Sequence, residues 1–395
     1  MSNQRIAAAG QQYIMNTYGR FPISLVRGKG SYVWDADNKQ YLDFVGGVAV
    51  CALGHCHDGL IQVLTEQAGT LWHVSNLYWT ETQNKLGEKL TEVTGMDKVF
   101  FCNSGAEANE AAIKLTRKYF HDRQEHKKYG IISFINSFHG RTLGSLAATG
   151  QTKYQQGFEP MNPGFVYARY NDLPSVEAAI DENTAAVMVE VIQGEGGVIP
   201  ADISFLHGLR QLCDQRGLLL IIDEVQTGVG RTGKFLASQL YGIQPDIVTL
   251  AKGLGGGIPI GACLAVDKVA AAFEPGSHAS TFGGNPLVTA VAARVTEIVS
   301  DEAFLKRVEA MGAFLSEKLL GLSDPRIVQF RARGLMQGLE FDREVKELVG
   351  ICLKKGLLVI NAGPNVLRFV PPLTVNEIEI NGAAALLEQA LLDWK

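Results

Sequence analysis

Five short, almost uninterrupted apolar runs constrain this chain more than anything else in it. Val99-Phe100-Phe101, Ile131-Ile132-Ser133-Phe134, Ala186-Val187-Met188-Val189, Leu218 to Ile222 and Ile247-Val248-Thr249-Leu250 have helical stretches between them. A strand with one face in water alternates apolar and polar residues, so runs without that alternation read as strands covered on both faces. Runs of this kind separated by helices predict an α/β fold in which helices wrap a mostly parallel central sheet. With 395 residues and 46% hydrophobic content, the chain is long enough for two or three domains.

The two ends read differently from the middle. Residues 28–44 alternate apolar and polar side chains around Asp35-Ala36-Asp37-Asn38, the pattern of a hairpin. From about residue 286 the text is helical, then closes on strand-like pieces at Gly334 to Phe341 and Val366 to Val370. Both ends are expected to fold together as a smaller α+β domain on the sheet. The expected division is residues 1–50 as an arm and part of the small domain, 51–285 as the large domain, and 286–395 as the remainder of the small one.

Charge and cysteine usage exclude several functions. A net charge of -5 with scattered Lys and Arg makes nucleic acid an improbable partner. No apolar run approaches the roughly 20 residues of a membrane span, and the amino-terminal residues lack a long apolar core, so a cytoplasmic protein is expected. The six cysteines are dispersed without Cys-x-x-Cys spacing, which fits a reducing compartment. Cys51, His55, Cys56 and His57 are too crowded for zinc-site spacing; a glycine-containing turn, and no metal, is expected there.

Ligands of open α/β sheets sit beyond the carboxyl ends of the strands, so the polar residues that follow each run carry the functional argument. After Phe101-Cys102 comes Asn103-Ser104-Gly105-Ala106-Glu107. Ser104 and Glu107 have capping-box spacing, and a helix opening on Ser-Gly-Ala can hold a phosphate, although a simple cap has the same text. Leu218 to Ile222 ends on Asp223-Glu224, where a buried carboxylate needs a cationic partner. A protonated pyridine nitrogen is one candidate and Arg231 another.

Gly228 to Gly233 satisfies G-x-G-x-x-G, and Gly228 to Lys234 most of a phosphate-binding P-loop. The first starts too far beyond the strand, and the second has Phe235 where a Mg²⁺-binding hydroxyl belongs, so a dehydrogenase and an NTPase remain weak alternatives. Lys252 is the single charge between Ile247 and Val266. Burial lowers a lysine's pKa and frees its amine to attack an aldehyde, and the following glycines leave room for a flat ring. A surface lysine laid over apolar residues is the plainer alternative.

Ser104-Gly105-Ala106-Glu107-Ala108, Phe138-His139-Gly140-Arg141-Thr142, Gln193-Gly194-Glu195-Gly196-Gly197, Asp223-Glu224-Val225-Gln226-Thr227-Gly228, Ala251-Lys252-Gly253 and Ser280-Thr281-Phe282-Gly283-Gly284-Asn285-Pro286 follow one another in this order. Together they resemble the class-III aminotransferases that use pyridoxal 5'-phosphate, along essentially the whole chain. That resemblance implies the fold-type-I architecture, with 51–285 as the cofactor-binding domain. It implies that Lys252 carries the cofactor as a Schiff base and that Asp223 pairs with the ring nitrogen. Glu224, Val225 and Gln226 fall in the same cofactor-binding stretch, Gln226 near the ring hydroxyl. Phe138 is expected over the ring, with Ser104, Gly105 and Ala106 at the phosphate. Thr281 resembles the residue that reaches the phosphate from a second subunit, implying a homodimer with shared sites.

The opening residues Met15 to Pro22, Gly28-Lys29-Gly30 and Tyr41 to Phe44 are similar to the branch of the family that acts on N-acetylornithine. The implied reaction moves that substrate's terminal amino group to 2-oxoglutarate, with glutamate leaving, by ping-pong kinetics. Arg141, with Ser280 beside it, resembles the grip on the donor's carboxylate, whose planar fork suits bidentate binding. Arg368 resembles the arginine for glutamate's nearer carboxylate, and Glu195 its gate. Succinylornithine, ornithine, 4-aminobutyrate and N-succinyl-diaminopimelate use nearly the same parts. His139 has no role derivable from the text; a satisfied structural histidine is the default.

Overall fold

The computed structural model describes residues 2–395. Its centre is a seven-stranded sheet in the order Lys98–Cys102, Gly261–Ala265, Ile247–Leu250, Leu219–Asp223, Thr184–Glu190, Gly130–Phe134 and Phe165–Ala168. The pairings are parallel except for those of Gly261–Ala265, which runs antiparallel to both neighbours. The five apolar runs therefore all became strands of one sheet, as their lack of alternation demanded.

Alternate residues of these strands serve opposite faces. Val187, Val189, Leu220 and Ile222 pack with Phe205, Leu206 and Leu209 of the Ile203–Arg216 helix. Ala186, Met188, Leu219 and Ile221 pack with Ala111, Ala112 and Leu115 of the Gly105–Asp122 helix. Burying one such side chain stabilises by about 1.5–3 kcal/mol, so a polar residue on either face would forfeit that and add a desolvation cost.

Two strands went unread in the sequence. Phe165–Ala168 lies at the sheet edge with Val166 exposed, and its four residues carry no signal beyond that of any short apolar segment. Gly261–Ala265 is made largely of small residues, and Gly261 lies against the Ser104 carbonyl so closely that an added Cβ would stand 2.3 Å from it.

The hairpin forms from Tyr32–Asp35 and Gln40–Asp43, with Val33 opposite Tyr41. Leu357–Leu358 joins Gln40–Asp43 in parallel, so the two chain ends share one sheet. A second small sheet orders Ile327–Arg333, Met336–Phe341, Val366–Phe369 and Ile360–Ala362. The Pro286–Val299 helix packs on Glu81–Thr94 and Asp58–Ala68. No described helix is long and apolar enough to cross a membrane, and among the described residues no cluster of three or more His, Cys, Asp or Glu could hold a metal.

Candidate active site

A cavity of about 430 Å³ opens at the carboxyl ends of the parallel strands. Cys102 leads into Asn103, Glu190 and Asp223 end their strands, and Leu250 leads through Ala251 into Lys252, so four strand ends on one side of the sheet deliver the polar walls. Ser104, Gly105, Ala106, Phe138, Arg141, Asp223, Val225, Gln226 and Lys252 all line it.

Lys252 occupies a left-handed backbone position, φ +44°, at the start of a short 3-10 turn. Such a conformation is strained for a side chain with a Cβ and persists only where the surroundings impose it. Burial pushes its ammonium below the ordinary lysine range; the nearby Glu195 charge opposes this, and the Arg368 charge adds to it. The result is an amine kept closer to its reactive neutral form.

The Asp223 carboxylate is fixed on both oxygens. Oδ2 accepts from Asn109 Nδ2 at 2.8 Å and His139 Nδ1 at 2.7 Å, and Oδ1 accepts from the Val225 amide at 2.9 Å. Arg231 is not its partner: that guanidinium donates instead to the carbonyls of Leu335 and Pro371. Glu224 does not line the cavity, contrary to the sequence expectation. Its carboxylate accepts from Thr227 Oγ1 and the amides of Ala237 and Ser238, since successive residues leaving a strand face opposite ways.

Ser104 caps the 18-residue Gly105–Asp122 helix, its hydroxyl accepting from the Glu107 amide at 3.2 Å. Glu107 reaches back one residue further than a capping box requires, to the amide of Asn103. The amides of Gly105 and Ala106 open the helix at the cavity wall, where an anion is favoured. A Cβ on Gly105 would come within 2.6 Å of Val225 Cγ1, so only glycine leaves this cradle open.

Two arginines are placed unlike one another. Arg368 is fully buried, and its Nη1 donates to Glu195 Oε1 at 2.6 Å and to Gln226 Oε1 at 3.0 Å. Burial would raise Glu195, but the Arg368 charge and hydrogen bond, with the Lys252 charge and the Gln226 bond, together hold that carboxyl below its usual range. Glu195 and Arg368 adjoin the cavity through Gln226. Arg141 sits exposed at the rim, its guanidinium 3.9 Å above the Tyr154 ring and 5.5 Å from that of Phe138, and among the described residues it forms no ion pair.

Ser280 and Thr281 do not line the cavity of their own chain. Ser280 Oγ accepts from the amide of Gly283 and from Asn103 Nδ2, while Thr281 is exposed beside Phe282.

The model of the aminotransferase class-III family matches residues 13–391. The chain belongs to the class-III aminotransferases. It is 51% identical over 382 residues to the acetylornithine aminotransferase of Aquifex aeolicus, covering 96% of this chain and 100% of that one. The enzyme of the same name from Caldanaerobacter subterraneus is 50% identical over 384 residues, covering 96% and 98%. Among solved structures, the Toxoplasma gondii ornithine aminotransferase superposes with a TM-score of 0.94 at 34% identity over 100% of this chain and 96% of that one. The Stenotrophomonas maltophilia N-acetylornithine aminotransferase does so with 0.85 at 37% over 98% of each.

As a class-III aminotransferase this enzyme uses pyridoxal 5'-phosphate, and its residues fit that group. The cradle at Gly105, the fixed carboxylate of Asp223 and the buried amine of Lys252 lie around one cavity. Three wall residues were missed in the sequence. Asn109 and His139 hold Asp223, and Asn109 Oδ1 accepts from Thr249 Oγ1 at 2.7 Å. Glu190 ends a wholly buried strand as Asp223 does, so the argument that singled out Asp223 applied equally to it.

Proposed function

We propose that this aminotransferase moves the terminal amino group of N-acetylornithine to 2-oxoglutarate, releasing N-acetylglutamate 5-semialdehyde and glutamate. The observation that carries this reading is the contrast between the two arginines: Arg141 unpaired at the rim, Arg368 buried and neutralised by Glu195. A donor whose carboxylate lies far from its reacting amine suits the rim site. Glutamate, with its α-carboxylate beside the reacting carbon, needs the inner one. The near 50% identity to acetylornithine aminotransferases supports the same donor.

When bound, pyridoxal phosphate supplies an electron-withdrawing ring that lets an amino group leave one carbon and later enter another. The protein's part is to hold and to move protons. Lys252 Nζ would hold the cofactor and, when free, would take and return the proton at the reacting carbon. Asp223, held by His139 and Asn109, would keep the ring nitrogen protonated. Phe138 would cover the ring, Gln226 would meet its hydroxyl, and the Gly105 and Ala106 amides with Ser104 would receive the phosphate. Glu195 masks Arg368 while the ω-amino donor reacts and releases it for glutamate.

The same reading makes the enzyme a cytoplasmic homodimer, with 51–285 as the cofactor domain and Thr281 serving the partner's phosphate site. Its support is that Thr281 is exposed outside its own cavity, on a surface that also exposes Leu77, Trp79 and Phe282. A steady-state panel of amino donors with 2-oxoglutarate tests the substrate. N-acetylornithine should give the highest kcat/KM; a higher value for ornithine, succinylornithine, N-succinyl-diaminopimelate or 4-aminobutyrate overturns the assignment.

A further inference from the structure

Glu190 is a buried carboxyl group in the cavity wall to which the chemistry above gives no task. On adjacent parallel strands it is paired in register with Asp223, and paired residues of neighbouring strands direct their side chains to the same face. Its oxygens accept only two backbone amides, Phe138 at 3.0 Å and Gly194 at 3.3 Å. Neither partner is a cation. A buried carboxylate so weakly compensated is costly, and burial pushes its acid up to about 7, with the His139 charge acting against that rise.

His139 bonds one of the two carboxyl groups and feels the charge of both. Its Nδ1 bonds Asp223 at 2.7 Å, and its ring is wholly buried, with no described partner for Nε2. A buried ring nitrogen left bare is destabilising, so an arrangement that satisfies Nε2 is favoured. Burial alone would lower the imidazole, yet the Asp223 bond and the charges of Asp223 and Glu190 reverse this and favour the imidazolium. The titratable groups facing Glu190 from the surrounding elements are His139, Asp223, Lys252 and Tyr170, whose hydroxyl donates to the Glu190 carbonyl at 2.7 Å.

We infer that Glu190 is a positioning residue that acts through His139: the charge state of Glu190, felt by the imidazole that is bonded to Asp223, sets how strongly Asp223 holds the proton of the cofactor's ring nitrogen. With Glu190 ionised, His139 is held as imidazolium and the pair leaves the Asp223 carboxylate charged and aligned. When Glu190 takes a proton from solvent its charge no longer supports the imidazolium of His139, which keeps its Nδ1 bond to Asp223, and the electrostatic support of the ring proton changes. Glu190 touches neither substrate nor ring in this scheme, and the inference rests on the proposed role of Asp223.

The test uses the loaded enzyme without substrate. Visible absorbance of the bound cofactor is titrated between about pH 5.5 and 9 in wild type, Glu190→Gln, His139→Gln and Asp223→Asn, with circular dichroism as the check on folding. The wild type should show an inflection near the Glu190 value of about 7. Glu190→Gln and His139→Gln should abolish it or move it by about one pH unit or more, as loss of a neighbouring charge does. If Asp223→Asn alters the spectrum while the folded Glu190→Gln enzyme keeps the wild-type inflection, the inference fails and the role of Asp223 stands. If Asp223→Asn alters nothing, both fail. Should Glu190→Gln not fold, infrared spectroscopy of the wild type decides. A buried protonated carboxyl band must vanish with the same midpoint as the visible inflection, and its absence overturns the link.

Discussion

At the scale of single residues, the site depends on where charge is tolerated. Lys252 is a buried amine whose ammonium is held below its ordinary range, and Asp223 is a buried carboxylate held by Asn109, His139 and the Val225 amide. Lys252→Ala should lose the cofactor's covalent absorbance and, from proton transfer alone, about 10²- to 10⁴-fold in turnover; near-normal kcat would remove Lys252 from the chemistry. For Glu195→Ala the expected outcome is an unmasked Arg368, so glutamate gains on N-acetylornithine in kcat/KM. Single-turnover absorbance with each donor reads this ratio, and an unchanged ratio means that the 2.6 Å Glu195–Arg368 contact is a static ion pair. Tyr154 holds Arg141 by its ring face. Tyr154→Leu should therefore raise the donor KM by about two- to fivefold with little change in kcat, the size of an exposed cation–π contact, while Tyr154→Phe retains it.

At the scale of elements, function sits where strands stop and helices begin. The Gly105–Asp122 helix shows the competition this creates. Alanine is a better helix former than glycine by about 1 kcal/mol, yet at residue 105 its Cβ would press on Val225 at 2.6 Å. Gly105→Ala should keep or improve helix content by circular dichroism and still weaken retention of the cofactor, measured by equilibrium dialysis. Unchanged retention would show that the phosphate lies elsewhere. Elements also explain what the text concealed. Asn109 lies one helical turn beyond Gly105 and returns to the same wall, and Glu190 reaches Asp223 because two strands pair in register. Neither adjacency is written in nearby residues.

At the scale of the whole molecule, the proposed homodimer rests on Thr281, exposed outside the cavity of its own chain. Mixing inactive Lys252→Ala subunits with Thr281→Ala subunits provides the test. If sites are shared, each mixed dimer carries one site with an intact Lys252 and an intact partner Thr281, so wild-type cofactor affinity returns at half the sites. Weak affinity throughout the mixture would mean that Thr281 serves its own chain or none.

Much was settled by the chain's text. The five apolar runs required a sheet covered on both faces, because a buried strand excludes polar residues wherever it lies, and the alternating residues 28–44 required a hairpin. The ordered motifs brought Lys252, Asp223, Gln226, Phe138, Gly105 and Ala106 to a single cavity. Tertiary structure alone decided the rest. It turned Glu224 away from that cavity into a cap on the Ala237 and Ser238 amides, inserted Gly261–Ala265 antiparallel, and gathered Asn109, His139 and Glu190 around Asp223. Burial and periodicity leave their mark residue by residue. The direction a side chain takes on leaving a strand, and the groups it meets there, depend on the register of segments tens of residues apart.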